Sequence, residues 1–158
     1  MKVSYCVIFF FFMACFYSCI EKEDPDLGEF RDMAFLVDMS LKNRFDTDLL
    51  CKEWTRSKVT YEIYVDGICT DSIDVTHEWG DTSFTLYNDN TMTLGGEIGH
   101  WLYSHNYLFW STGNKAQEVV SVDSNTLSLK WEQRLNVSPF FIDNSGEHHF
   151  YIFEYACK

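Results

Sequence analysis

The residues from Cys51 onward predict an all-β fold, an eight-stranded antiparallel up-and-down barrel, and three observations carry that prediction. Runs rich in Thr, Val, Tyr, Phe and Trp recur, punctuated by Asn, Asp and Gly, which is the composition of strands and turns. Several links are only two or three residues long: Asn88-Asp89-Asn90, His105-Asn106 and Asp123-Ser124-Asn125. Asn and Asp tolerate left-handed backbone, and links this short join antiparallel neighbours. Consecutive antiparallel strands must also lose their exposed edges, by closing into a barrel or folding into a sandwich, and short sequential hairpins favour the barrel.

The chain opens with residues 1–18, in which Lys2 is the only charged side chain and an apolar run follows it. That is the charge layout of a secretory signal, and the acidic residues Glu21, Glu23, Asp24 and Asp26 follow where a stop-transfer segment would carry basic ones. Residues 19–28 read as an acidic tether with Pro25 and Gly28, and residues 29–158 as the domain. Within it, Phe30, Met33, Val37 and Leu41 recur at spacings of three and four and predict a helix over 29–43 that covers one end or edge of the barrel. Strands are expected near 52–65, 82–87, 91–95, 98–104, 107–112, 116–122, 126–133 and 148–157, with longer connections over 66–81 and 134–147.

Composition narrows the function. Hydrophobic residues make up 46% and charged residues 23%, with only two prolines, which predicts a folded domain. Twelve basic side chains face 24 acidic ones, for a formal charge of -12. Nucleic acid is not an expected partner, because phosphate binding needs a basic face.

Two resemblances add to this reading. Phe16-Tyr17-Ser18-Cys19 resembles a bacterial lipoprotein lipobox, which implies that Cys19 is lipidated and begins the mature chain. Met13-Ala14-Cys15 is the rival site, but it would leave Phe16 and Tyr17 ahead of any polar tether. The acidic "EKED" that follows is similar to surface-export signals of Bacteroidota lipoproteins, which implies an outer-membrane lipid anchor and display at the cell surface. Further on, "LLCKEWTRSKV", "FTLYNDNTMTL", "GHWLYSHNYLFW", "VVSVDSNTLSLKW" and "HHFYIFEYACK" resemble, in that order, the strand motifs of the lipocalin-like lipoproteins of Bacteroidota. Three departures stand out: Lys52 and Asn90 replace family glycines, and no arginine follows Arg134 to lie over the first tryptophan, as lipocalins proper tend to have it. The resemblance implies a small-ligand-binding barrel at the outer membrane.

An eight-stranded barrel either fills its interior or holds one small ligand. Alternation groups Phe84 with Leu86, Trp101 with Tyr103, Leu129 with Trp131, and Phe150 with Ile152; with Trp54 these are the candidate cavity lining, or else the core. Closure brings the start of the first strand to the end of the last, so a Cys51–Cys157 disulfide is expected, with Cys69 left as a free thiol or replacing one of the two. No metal site is expected, since His148 and His149 are adjacent on a strand and point to opposite faces, and no Cys or His pair has a zinc-finger interval. No catalytic residue and no cofactor is assigned: nucleophile elbow, phosphate-binding glycine loop and zinc-protease helix are all missing. Acidic pairs such as Asp143 with Glu147, or Asp81 with Glu97, read as solvated surface. The expected function is non-catalytic binding of a small apolar or amphipathic ligand. The alternative is a solid barrel whose 66–81 and 134–147 loops or amino-terminal helix recognise a surface protein or glycan.

Overall fold

The computed structural model describes residues 27–133 and 146–158. The expected signal, Cys19 and most of the tether lie outside these residues, as does most of the 134–147 connection.

Nine strands follow one another: β1 (Glu53–Val65), β2 (Ile68–Asp74), β3 (Ser83–Leu86), β4 (Thr91–Leu94), β5 (Glu97–Ser104), β6 (Tyr107–Trp110), β7 (Lys115–Val122), β8 (Thr126–Glu132) and β9 (Glu147–Cys157). From β3 onward each pairs antiparallel with the next, and β9 returns to β1, from Trp54 opposite Cys157 to Val65 opposite Glu147. This is the expected closed eight-stranded up-and-down barrel, with one strand in addition. Among the described links, the mouth carries β1–β2, β4–β5 and β6–β7, and the base carries β3–β4, β5–β6 and β7–β8.

The additional strand is β2, inside the acidic stretch expected as a connection. It pairs with the distal half of β1, from Thr60 opposite Asp74 to Val65 opposite Ile68, while β3 pairs with Glu53–Thr55 on the same edge. β2 and β3 are thus two stretches of one line beside β1, interrupted by residues 75–82. Every residue of β2 is exposed, so no buried face imprints a two-residue alternation on its sequence.

The base is closed and filled. Trp54, Phe84, Leu86, Met92, Trp101, Leu108, Leu127 and Leu129 are at most 2% exposed and form one cluster, against which Phe45, Leu49 and Cys51 pack from below. Three buried polar side chains here have partners. Trp54 Nε1 donates to Leu50 O at 2.9 Å, Trp101 Nε1 to Tyr87 O at 2.9 Å, and the Tyr103 hydroxyl to Asn106 Oδ1 at 2.8 Å while it accepts from the Arg44 and Phe45 N–H groups. Lys52 Nζ lies 5.7 Å over the Trp54 ring and donates to Ser124 O, so a cation covers the first tryptophan from its own strand's approach. Positive φ at Asn90, and at His105 and Asn106 together, makes the tight turns.

Three expectations are corrected. The helix over 29–43 is a 3-10 helix limited to Gly28–Leu36, with Phe30 and Met33 buried on the outer face of β6 and β7 beside Phe109 and Ala116. It stops because Val37 is extended and Asp38 takes both the Ser40 N–H and the Ser40 hydroxyl, a local side-chain turn that competes with helix. The Cys51–Cys157 bridge is not made: both are free thiols, Cys51 Sγ turned to Thr47 O and Cys157 Sγ to Lys158 O, and Cys69 is free as well. Phe150 and Ile152 face outward, since it is Phe153 and Tyr155 that are buried opposite Leu129 and Leu127.

Candidate functional site

Pairing across β7, β8, β9 and β1 arranges the inward side chains in layers. The lowest joins Val122, Leu127, Tyr155 and Arg56; the next joins Val119, Leu129, Phe153 and Val59. Bulges at Val120 and Ser57 each add an outward residue and so keep these partners in line. All four residues of the second layer are at most 4% exposed, and burial pushes the Tyr155 hydroxyl pKa up to about 12. Above them Trp131, Tyr151 and Tyr61 face one another across β8, β9 and β1. The Glu118–Lys130 pair, continued by one residue, places Gln117 beside Trp131 on the inner face. In this third layer the packing opens: Trp131 is 40% exposed and the two tyrosines are half-buried.

A loop shapes the cup. Residues 75–82 leave the line of β2 at Val75, whose N–H donates to Val59 O, and the Val59 N–H donates in turn to Thr76 Oγ1 at 2.9 Å. Arg56 points into the barrel and donates to Gly80 O at 2.6 Å and to Thr82 Oγ1. Those bonds draw the loop inward. Trp79 then meets Tyr151 and Phe153 edge-on at 5.2 and 5.0 Å, with the Arg56 guanidinium 5.8 Å from the Trp79 ring centre. Trp79 and Phe153 therefore floor the cup.

Polar groups in the third layer differ in their availability. Tyr61 is hydrogen-bonded to His149 Nδ1, and His149 Nε2 to Glu147 Oε1 at 2.7 Å. The hydroxyl donates to Nδ1 when the ring carries its proton on Nε2. Burial, with Tyr151 and Glu147 nearby, holds the Tyr61 pKa above its ordinary value. That hydroxyl is occupied. Gln117 is 6% exposed as a residue and lines the cup, and its carboxamide is not among the fully buried atoms without a partner, so it opens to the cup. Lys115, opposite Trp110, stands at the rim. Trp110 Nε1 is buried without an acceptor among the described residues, its ring edge-on to Phe84 at 4.6 Å.

The concavity measures about 890 Å³ and runs over the rim. Trp79, Gln117, Trp131 and Phe153 line its inner part; Tyr64, Lys130, His148 and Phe150, on the outward face of the same strands, line a groove outside the barrel. In that groove Lys130 Nζ sits 3.7 Å over the Phe150 ring, and His148 Nδ1 is 2.9 Å from Glu132. The cup itself is accordingly only a share of the volume.

Of the candidate lining residues, Trp54, Phe84, Leu86, Trp101, Tyr103 and Leu129 fill the lower barrel, and Ile152 lies outside it. Trp131 borders the cup and Phe150 the outer groove. Gln117, Trp79 and Tyr151 carried no sequence pattern that singled them out, although the charged Glu154 marks the even-numbered face of β9 as outward and so points Tyr151 and Phe153 in. His148 and His149 do face opposite sides, and among the described residues no group of three His, Cys, Asp or Glu side chains could hold a metal ion. Comparison with protein-family models and with curated proteins gives no match.

Proposed function

We propose that this chain is a lipid-anchored, non-catalytic binding protein whose barrel mouth takes a small apolar or amphipathic molecule, as its resemblance to lipocalin-like lipoproteins of Bacteroidota implies. The observation that carries the reading is the change from a filled second layer to an aromatic third layer open to solvent. Apolar concavities with a few fixed polar groups are the usual form of small-ligand sites. Cys19, followed by an acidic tether, is the proposed anchor to the outer membrane, with the barrel displayed at the cell surface. Among the described residues a surface-recognition reading has no shared patch of exposed Trp and Tyr, because Tyr87 and Trp131 stand at opposite ends of the barrel.

The described contacts onto the barrel begin at Leu27, so the chain from residue 20 onward contains every described element. Native mass spectrometry of that chain, purified without denaturation from a bacterial host, is expected to show a reproducible bound mass that disappears on denaturation. A bare polypeptide mass, together with no uptake of a neutral apolar fluorophore such as N-phenyl-1-naphthylamine, would count against the proposal.

A further inference from the structure

The cup is one side-chain layer deep. Below Trp131 the barrel is closed by Leu129, Phe153 and Val119, and Trp79 covers that floor. An extended acyl chain has no tunnel to enter, whereas a flat ring can lie against the wall. That wall offers a platform: Trp131 is 40% exposed and nearly parallel to Tyr151, with ring centres 5.7 Å apart and planes inclined by 23°, so Tyr151 backs the indole and leaves area for a second ring.

The polar group beside the platform narrows the ligand further. Gln117 carries both a donor and an acceptor on one planar carboxamide. It is more than nine-tenths buried and faces the concavity, where no described residue satisfies it. Trp110 Nε1 is the one described side-chain atom that is both fully buried and without a partner, so the Gln117 amide meets water in the cup and can exchange that water for a ligand edge. A carboxamide pairs two-pronged with an edge that itself presents a donor next to an acceptor, as Gln does with adenine. Tyr61 does not compete, because its hydroxyl is held by His149.

The geometry points to a planar heteroaromatic ligand with an amide- or amidine-type edge, of the nucleobase kind, stacked on Trp131 and hydrogen-bonded edge-on to Gln117. This rests on the ligand-binding reading above and names its ligand class.

The test uses the chain from residue 20 onward, with N-phenyl-1-naphthylamine as the general apolar probe and adenine and uracil as the ring probes. Methyl β-D-glucopyranoside serves as a saturated ring of similar size. Adenine or uracil is expected to displace the fluorophore. Gln117→Leu, close to isosteric, is expected to weaken base binding about tenfold relative to the fluorophore affinity measured on the same variant, which an added apolar wall group does not lower; about 1.4 kcal/mol corresponds to that tenfold change. Gln117→Met repeats the test should the leucine variant unfold, and Trp131→Ala is expected to weaken both kinds of probe. Fluorophore binding without displacement by either base, displacement insensitive to Gln117, or preferential displacement by the glucoside would overturn the ring assignment and leave the apolar-ligand reading standing. Failure of every probe to bind would overturn both.

Discussion

Asp123 is exposed, yet one of its carboxylate oxygens accepts the N–H groups of Asn125 and Thr126 at 2.7 Å each, and the other accepts the Thr126 hydroxyl at 2.9 Å. These bonds, the two backbone ones foremost, favour the ionised form and hold the carboxyl below its ordinary value of 3.8. A carboxyl whose pKa is lower folded than unfolded stabilises the fold above the unfolded value and loses that contribution as pH falls through the folded one. Asp123→Ala is therefore expected to lower the thermal midpoint at neutral pH. The gap from the parent chain should close progressively below about pH 4, where the parent carboxyl protonates too. Asp38, Asp74 and Asp89, each held down by its own hydroxyl and N–H donors, titrate in both chains and cancel in the difference. Midpoints measured across that range decide the matter, and a gap that does not change with pH would assign the effect to backbone preference in the turn.

β1 is shared unequally among its neighbours. β9 pairs with it from Trp54 to Val65, whereas β2 pairs with its distal half alone, has no partner on its other edge among the described residues, and buries none of its side chains. Local opening follows buried contacts as well as hydrogen bonds, so β2 belongs to the low-stability part of the fold. Hydrogen exchange followed by mass spectrometry is expected to label the 68–74 amides well before those of β9, although both strands are bonded to β1. Equal protection of the two would mean that β2 opens only when the barrel unfolds. The same imbalance explains what could be read from the chain. Strands with a buried face, such as Leu127, Leu129 and Trp131 alternating with Ser128 and Lys130, announce themselves with bounds close to those found. β2, with Thr70, Asp71, Ser72 and Asp74 and no buried face, reads as a loop. β9 carries apolar residues on both faces, which hid its orientation, and Asp38 ended the helix through a side-chain turn that apolar spacing does not reveal. At the cup, Trp131 was legible as part of an aromatic stripe; Gln117 was not, because one glutamine in a strand has meaning only once its neighbours in space are known.

At the scale of the whole molecule, the barrel divides its work along its axis. The base is a packed core with Asn43–Cys51 drawn under it, and the mouth is an aromatic rim whose groups are only partly withdrawn from water. Deleting side-chain volume should therefore have different consequences one layer apart. Leu129 is fully buried between Val119 and Phe153. Its truncation leaves a cavity that close-packed neighbours cannot collapse, and Leu129→Ala is expected to cost about 2–5 kcal/mol. Trp131, two residues further along the same strand, is 40% exposed and stacks on Tyr151. Trp131→Ala is expected to cost about 1–3 kcal/mol, from the part of the indole withdrawn from water together with its pair with Tyr151, while it removes the surface on which a ligand would lie. Urea unfolding with an unchanged slope would isolate both stability terms, since the slope follows the surface exposed on unfolding. Were Trp131→Ala to reach the upper end of the range, about 3–5 kcal/mol, that a fully buried tryptophan costs, the indole would be part of the structural core, and the open layer on which the binding proposal depends would not exist in solution.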